Sequence, residues 1–137
     1  SELDARHIID AATLTGAASV ALGPDYNALF ALDKNMLKRA VNAAEECNEG
    51  AWPLPLEKFH QERCPSPYAE TANSRAMKGG GAGGASNAAG FLSRFVNTEG
   101  NGWLHIDLAA AFNQSDTPLF AAGATGVGIR TIAALIV

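Results

Sequence analysis

The strongest constraint on the fold is the alternation of strand-like and helix-like segments along the chain. Short apolar runs predict strands at 8–13, 26–32 and 103–108. Apolar residues at helical spacing predict a helix over 34–48, with Asp33 as its N-cap. Strands that alternate with helices pair mainly in parallel, because a helical crossover returns the chain to the same end of the sheet. The sequence therefore predicts an α/β fold with a largely parallel sheet, in which strand 8–13 is buried.

Three further helices are predicted by small apolar residues, caps and glycine stops. The first covers 17–22, and the second runs from 87 to about 97 with Ser86 as its cap. The third covers roughly 125–137 and follows Gly123. Helices and strands thus fill most of the chain, and we expect a single structural unit over 1–137.

Composition excludes several classes of function. The 137 residues include 14 acidic and 10 basic side chains, a formal net charge of −4, and no basic stripe that would attract phosphates. Nucleic acid is therefore not an expected partner. No apolar run approaches the roughly 18 residues that a bilayer requires, so no membrane association is expected. Only Cys47 and Cys64 occur, which fits a reducing cytoplasm. The chain begins at Ser1 and enters a strand almost at once, so we expect a fragment of a longer protein.

A glycine run at 79–84 contains the pattern GxGxxG at Gly79, Gly81 and Gly84. In dinucleotide-binding folds this pattern follows a strand and opens a helix. The residues before Gly79 are polar and irregular, and five glycines in six positions make the match nearly unavoidable. We therefore favour a close-packing or mobile loop over a nucleotide site.

His105 and Asp107 lie two apart on a predicted strand and so share one face of the sheet. This spacing could present a metal ligand or an acid/base pair, but a metal centre needs three or more ligands. The other candidates, Asp10, His7 and His60, lie on elements whose convergence the sequence does not show. We favour a structural, hydrogen-bonded pair at the end of the sheet.

The segment Thr13-Leu14-Thr15-Gly16 follows the first predicted strand directly. Ligands bind at the carboxyl ends of strands in open parallel sheets, and glycine permits close approach of the backbone. The same residues could equally be only a capped helix start. From the residues alone, these two interpretations stay open.

Several stretches resemble the leucyl aminopeptidase family (cytosol aminopeptidases). The most specific is IIDAATLTGA at 8–17, which is similar to the strand and turn that follow the metal site in that family. Further stretches match in the same order: WPLPL at 52–56 with Phe59 and His60, residues 82–91, WLHID at 103–107, and GATG at 123–126 with Arg130 and Thr131. The stretch at 52–56 and the aromatic Phe112 look most like the peptidase B branch.

The resemblance implies part of a three-layer α/β/α catalytic domain with a mostly parallel mixed sheet. It also implies a cytoplasmic, hexameric hydrolase that releases N-terminal residues from peptides with two divalent cations, manganese or zinc. The family's metal ligands and catalytic arginine belong to an N-T-D-A-E-G-R motif and the segment before it, and neither string occurs here. We therefore expect no catalytic residue and no metal ligand in this chain, which alone should be inactive. The upstream part of its own protein should be one of its partners.

What the resemblance does transfer is the wall of the substrate site. Leu14 should offer a backbone carbonyl to a substrate amide, and Gly16 a backbone N–H to a substrate carbonyl. Thr13, Gly16, Ala109 and Phe112 should line the pocket for the N-terminal side chain. The main alternative is a non-enzymatic α/β module that reuses this scaffold for binding or assembly. A nucleotide-binding domain built on the glycine run is the weaker one.

Overall fold

The core of the fold is a four-stranded mixed sheet. The computed structural model describes residues 5–74, 81–96, 102–118 and 120–137. Within them the strands are β1 (Ile8–Ala12), β2 (Asn27–Phe30), β3 (Ala51–Pro53) and β4 (Trp103–Asp107), in the order β1-β4-β2-β3. β1 runs parallel to β4, and β2 parallel to β3, whereas β2 and β4 are antiparallel. The predicted α/β class with a mostly parallel mixed sheet is confirmed.

Helices cover both faces of this sheet. They are α1 (Gly16–Leu22), α2 (Lys34–Glu46), α3 (Gly84–Ser93) and α4 (Ile129–Ile136), with a short 3-10 helix at Lys58–Glu62. Two further strands, β5 (Phe112–Asn113) and β6 (Gly123–Ala124), form a small antiparallel pair. The described residues therefore form an α/β/α arrangement with a small hairpin at one end.

Alternation along β4 creates the two buried layers. Leu104 and Ile106 pack with α2 and α4, through side chains such as Met36 and Leu135. Trp103 faces the other way and packs in a cluster with residues of α1 and α3. Successive side chains of a strand point to opposite faces, so one strand serves both layers. β4 is buried throughout, as expected for a central strand.

Three predicted elements differ from the observed ones. α3 is capped by Gly83 at φ 71°, so Ser86 is a buried residue inside the helix and not its cap. α4 begins only at Ile129, after Gly128 at φ 104°. Strand β1 ends at Ala12 and is only partly buried, because it forms an edge of the sheet within the described residues. The other helix predictions are confirmed within a few residues, and Asp33 caps α2 by accepting bonds from Asn35 and Met36.

Glu49 ties the start of α4 to the connection between α2 and β3. Its buried carboxylate accepts hydrogen bonds from the backbone N–H of Thr131 at 2.8 Å and from the Thr131 hydroxyl at 2.7 Å. The backbone and side chain of Arg130 donate at 3.4 Å and 3.2 Å. Burial opposes ionisation of Glu49, but these hydrogen bonds outweigh it and hold the pKa of the carboxyl below its ordinary value.

Acid should therefore weaken the fold through Glu49. Because the pKa is lower in the folded state, the stabilisation is fully present above the ordinary glutamate pKa of about 4.3. It should be lost as the pH falls through the lower, folded pKa. Glu49→Gln should reduce the free energy of unfolding at pH 7 by about 1–3 kcal/mol and flatten its pH dependence in acid. Urea unfolding from pH 3 to 7 measures both effects. Glu46→Gln, at an exposed position of α2, is the control, and an equal response of the two variants would contradict the assignment.

Candidate substrate site at the strand ends

Asp107, the last residue of β4, organises the turn between β1 and α1. Its carboxylate accepts hydrogen bonds from the backbone N–H groups of Leu14 at 3.0 Å and Thr15 at 3.2 Å. The Thr15 hydroxyl donates a third bond at 2.6 Å. Ala12 is the register partner of Asp107, and Leu108 N–H continues the ladder to the Ala12 carbonyl at 2.8 Å. The ends of β1 and β4 are therefore joined at one edge of the sheet.

The same turn starts α1. Thr15 is the N-cap, and its hydroxyl accepts the backbone N–H of Ala18 at 3.1 Å. Gly16 is the first helical residue, a position whose N–H has no acceptor within a helix. A Cβ added at Gly16 would meet no atom within 4 Å, so the space in front of this backbone is open. The turn thus presents exposed backbone at the carboxyl end of a strand.

The segment after β4 forms the neighbouring surface. The Ala110 N–H donates to Asn27 Oδ1 at 2.9 Å, and the Ala110 carbonyl accepts the Thr125 hydroxyl at 2.6 Å. Asn27 is fully buried and also donates to the Val127 carbonyl. These bonds fix the backbone between β4 and β5. Phe112 follows with 60% of its surface exposed, paired in the hairpin with Ala124.

All five residues expected at the substrate site lie on these two segments. Thr13, Leu14 and Gly16 are exposed residues of the turn, and Phe112 is exposed on β5. Ala109 is half-buried and packs against the cluster beneath α1 and α3. The bond between Leu108 and Ala12, together with Asp107, holds the two segments side by side. Whether they bind substrate stays a prediction.

A cavity of about 950 Å³ opens on the α1 side of the turn. Its wall includes Leu14 and Gly16 from the turn, Val20 of α1 and Leu54 after β3. The first residues of α3 also line it, as do Cys64, Asn73 and Ser74. Thr13, Ala109 and Phe112 do not line this cavity. The turn therefore separates a largely apolar cavity from the exposed surface that carries Phe112.

His105 and Asp107 share a face of the sheet but do not bind each other. His105 Nδ1 lies 2.5 Å from Asp10 Oδ1, and Trp103 Nε1 donates to the other Asp10 oxygen at 2.7 Å. Each member of the expected pair is thus a structural group with its own partners. In the part of the chain that the structure describes, no three His, Cys, Asp or Glu side chains converge on a common point as metal ligands.

Two other features bear on the alternatives. Gly79 of the glycine pattern and residues 75–78, where the nucleotide fingerprint would need a strand, lie outside the described residues. Among the helices of the described ranges, none has the length and apolar character to cross a bilayer.

Asn27 and Thr125, which hold the Ala110 backbone, were not anticipated from the sequence. The available signals were weak. Asparagine and threonine next to turns or glycines are common, so neither Asn27 nor Thr125, which precedes Gly126, stands out in the sequence.

Comparison with known proteins identifies the family of the chain. A sequence profile for the catalytic domain of the cytosol aminopeptidase family matches residues 1–133. Peptidase B of Cronobacter sakazakii is 51% identical over 131 residues, which are 94% of this chain and 30% of that protein. Peptidase B of Pectobacterium carotovorum is 48% identical over 136 residues, 99% of this chain and 31% of that protein. The chain thus spans about 30% of the length of these relatives.

Solved structures show the same fold. A mutant of tomato leucine aminopeptidase superposes with a TM-score of 0.80 at 36% identity, over 96% of this chain and 24% of that one. The bottromycin maturation enzyme BotP in complex with Mn gives a TM-score of 0.82 at 32% identity, over 94% and 28%. The resemblance to peptidase B and the leucyl aminopeptidases is therefore confirmed. By sequence and by fold, the chain belongs to the cytosol aminopeptidase family and matches its catalytic domain.

Proposed function

We propose that this chain is the substrate-binding part of a metal-dependent aminopeptidase that releases N-terminal residues from peptides. Membership of the family supports the reaction class. The observation that supports the role of this chain is the exposed turn at Leu14–Gly16, held by Asp107 beside the segment that ends at Phe112. Such a turn offers fixed backbone donors and acceptors, which need no rearrangement when an extended peptide binds.

Each residue of the site has a proposed role. The Leu14 carbonyl accepts a hydrogen bond from a substrate amide, and the Gly16 N–H donates one to a substrate carbonyl. Both contacts are to peptide backbone and so do not depend on side-chain identity. Thr13, Gly16, Ala109 and Phe112 surround the N-terminal side chain of the substrate. Gly16 thus takes part in both contacts, whereas Thr13, Ala109 and Phe112 act only on the N-terminal side chain.

The proposed reaction depends on two divalent cations, manganese or zinc. Bound at an active site, such ions polarise a scissile carbonyl and lower the pKa of an attacking water. The described side chains supply no group of ligands for them. We therefore propose that the ligands belong to other parts of the complete protein and that this chain alone is inactive. By the same resemblance, the complete protein is proposed to be a cytoplasmic homo-oligomer, hexameric as in the family.

The test uses the complete protein and aminoacyl substrates. Wild type should hydrolyse alanyl, leucyl and phenylalanyl p-nitroanilides with added Mn²⁺ or Zn²⁺ and should stop after chelation. Gly16→Ala should not lower the melting temperature, because the added Cβ contacts nothing in the protein. It should lower kcat/KM about tenfold or more, since the methyl group blocks the approach of substrate backbone to the turn.

Ser19→Ala is the control for this variant, because Ser19 is an exposed residue of the same helix beyond the turn. It should behave as wild type in both measurements. Full activity of Gly16→Ala would remove the turn from the substrate site. Failure of the complete wild-type protein to hydrolyse any substrate with any divalent metal would favour the non-enzymatic binding module instead.

A further inference from the structure

Asp107 is a buried carboxylate whose hydrogen-bond donors all belong to one short turn. It is 1% exposed, and its donors are the two N–H groups of Leu14 and Thr15 and the Thr15 hydroxyl. All three are uncharged. Hydrogen bonds to an ionised carboxylate are roughly twice as strong as neutral ones. The turn is therefore held to the end of β4 by more than chain connectivity.

The turn needs this acceptor because it belongs to neither neighbouring element. β1 ends at Ala12 and α1 begins at Gly16, so the N–H groups of Leu14 and Thr15 have neither a ladder partner nor a helical one. The Thr15 hydroxyl links Asp107 to α1, because it donates to Asp107 and accepts from the Ala18 N–H. Asp107 thereby orients the N-cap of α1 as well as the turn.

The hydrogen bonds of Asp107 to Leu14 and Thr15 form a clamp on the turn. Because peptide bonds are planar, this clamp also fixes the directions of the Leu14 carbonyl and the Gly16 N–H. The Leu14 carbonyl and the Thr15 N–H belong to one trans peptide unit and point in opposite directions. Because the Thr15 N–H points at Asp107, the Leu14 carbonyl must point away from it. The next peptide unit contains the Thr15 carbonyl, which begins the helical ladder, and the Gly16 N–H, which therefore points out of the helix start.

We propose that Asp107 is a positioning residue for the peptide substrate, fixing the directions of the Leu14 carbonyl and the Gly16 N–H without touching substrate. The proposal rests on the proposed function, in which these two groups bind substrate backbone. Loss of the clamp should weaken binding of every peptide by the same factor. Ala109 and Phe112, on the other side of the pocket for the N-terminal side chain, lie on a segment that Asn27 and Thr125 support separately.

The test compares variants of the complete protein with alanyl, leucyl and phenylalanyl substrates. Asp107→Ala should raise KM at least tenfold, by a similar factor for all three, with a smaller change in kcat per folded active site. Asp107→Asn keeps the shape and one acceptor oxygen and should show an intermediate rise. Thr15→Val, which loses one of the three bonds to Asp107, should raise KM about threefold. Thr15→Ser, which keeps the hydroxyl, should have the KM of wild type.

Asp33→Ala is the matched control. Asp33 also caps a helix and accepts three backbone N–H bonds, one of them from Gly102 at the opposite end of β4. This variant should lose stability without a rise in KM. An unchanged KM in Asp107→Asn and Thr15→Val, or an equal rise in Asp33→Ala, would overturn the proposal.

The proposed function can fail separately, if wild type hydrolyses no substrate. Amide hydrogen exchange at Leu14 and Thr15 then still tests the clamp. Exchange at both should accelerate at least tenfold in Asp107→Ala but not in Asp33→Ala. Equal exchange in wild type and Asp107→Ala would refute it.

Discussion

Replacing Gly90 with alanine is expected to reduce the free energy of unfolding by about 3 kcal/mol, through overpacking against a rigid neighbour. Gly90 lies in α3 and faces the 3-10 helix. A Cβ at this position would lie 2.6 Å from the carbonyl carbon, carbonyl oxygen and Cβ of His60. Backbone atoms cannot rotate out of the way as the end of a long side chain can. The two helices would therefore have to move apart.

The intrinsic preference of alanine for helices acts in the opposite direction. Alanine is favoured over glycine by about 1 kcal/mol in a helix interior. The sign of the change in unfolding free energy therefore shows whether overpacking or helix propensity dominates. Gly16→Ala is the matched control, because its Cβ would contact nothing within 4 Å. Urea unfolding should show Gly16→Ala equal to or slightly more stable than wild type. Wild-type stability of Gly90→Ala would mean that α3 and the 3-10 helix are not held at this distance.

This close approach also bears on the cavity beside the turn. The first residues of α3 line that cavity, opposite Leu14 and Gly16. Because α3 packs on the 3-10 helix through Gly90, the position of this wall depends on a residue outside the cavity. We therefore expect Gly90→Ala, where it folds, to disturb the cavity as well as the stability.

Hydrophobic periodicity was sufficient to predict most helices and the main strands of this fold, because each of these elements needs only a local pattern. Met36 and Ala40 are two of the apolar residues at helical spacing in 34–48, and both pack in the cluster beneath α2. The antiparallel pairing of β2 with β4 could not be predicted in the same way. It joins Ala28 to Asp107, far apart in the chain, and no local pattern records which strands become neighbours. The start of α3 was misplaced because its cap is a left-handed glycine, Gly83, whose conformation comes from the loop.

The site shows the same division between local and distant information. Position at a strand end pointed to the turn with Leu14 and Gly16. Period-two spacing likewise placed His105 and Asp107 on one face. The partners of those two side chains depend on the register between β4 and β1, which sets Asp10 beside His105 and the turn beside Asp107. The sequence therefore indicated which residues lie at the strand ends, but not which buried groups hold them.

Phe112 combines a backbone fixed by hydrogen bonds with a largely exposed side chain. Its backbone pairs with Ala124, and Asn27 and Thr125 anchor the residue two positions before it. The side chain is 60% exposed, so it contributes little to the core. Within this chain, such exposure argues against a role for Phe112 in the hydrophobic core. Its place in the pocket for the N-terminal side chain stays a prediction.

Phe112→Ala in the complete protein should change substrate preference more than stability. Truncation of a core phenylalanine costs about 3–5 kcal/mol, whereas an exposed one should cost well below that. Removing the ring enlarges an apolar wall, and each methylene-sized change in such a pocket is worth about 1–3 kcal/mol of discrimination. The ratio of kcat/KM between phenylalanyl and alanyl substrates should therefore shift at least tenfold. Metal affinity should not change, because no ligand is altered.

Phe95→Ala separates this effect from the general loss of an exposed ring. Phe95 is 65% exposed just after α3 and packs edge-on against Phe91, away from the turn. Its removal should leave the ratios among alanyl, leucyl and phenylalanyl substrates as in wild type. Melting temperature and kcat/KM are measured on the same preparation of each variant. If Phe112→Ala lost several kcal/mol of stability and scaled all three rates equally, Phe112 would be a structural residue. The side-chain pocket would then have to be formed by other residues beside Thr13 and Ala109.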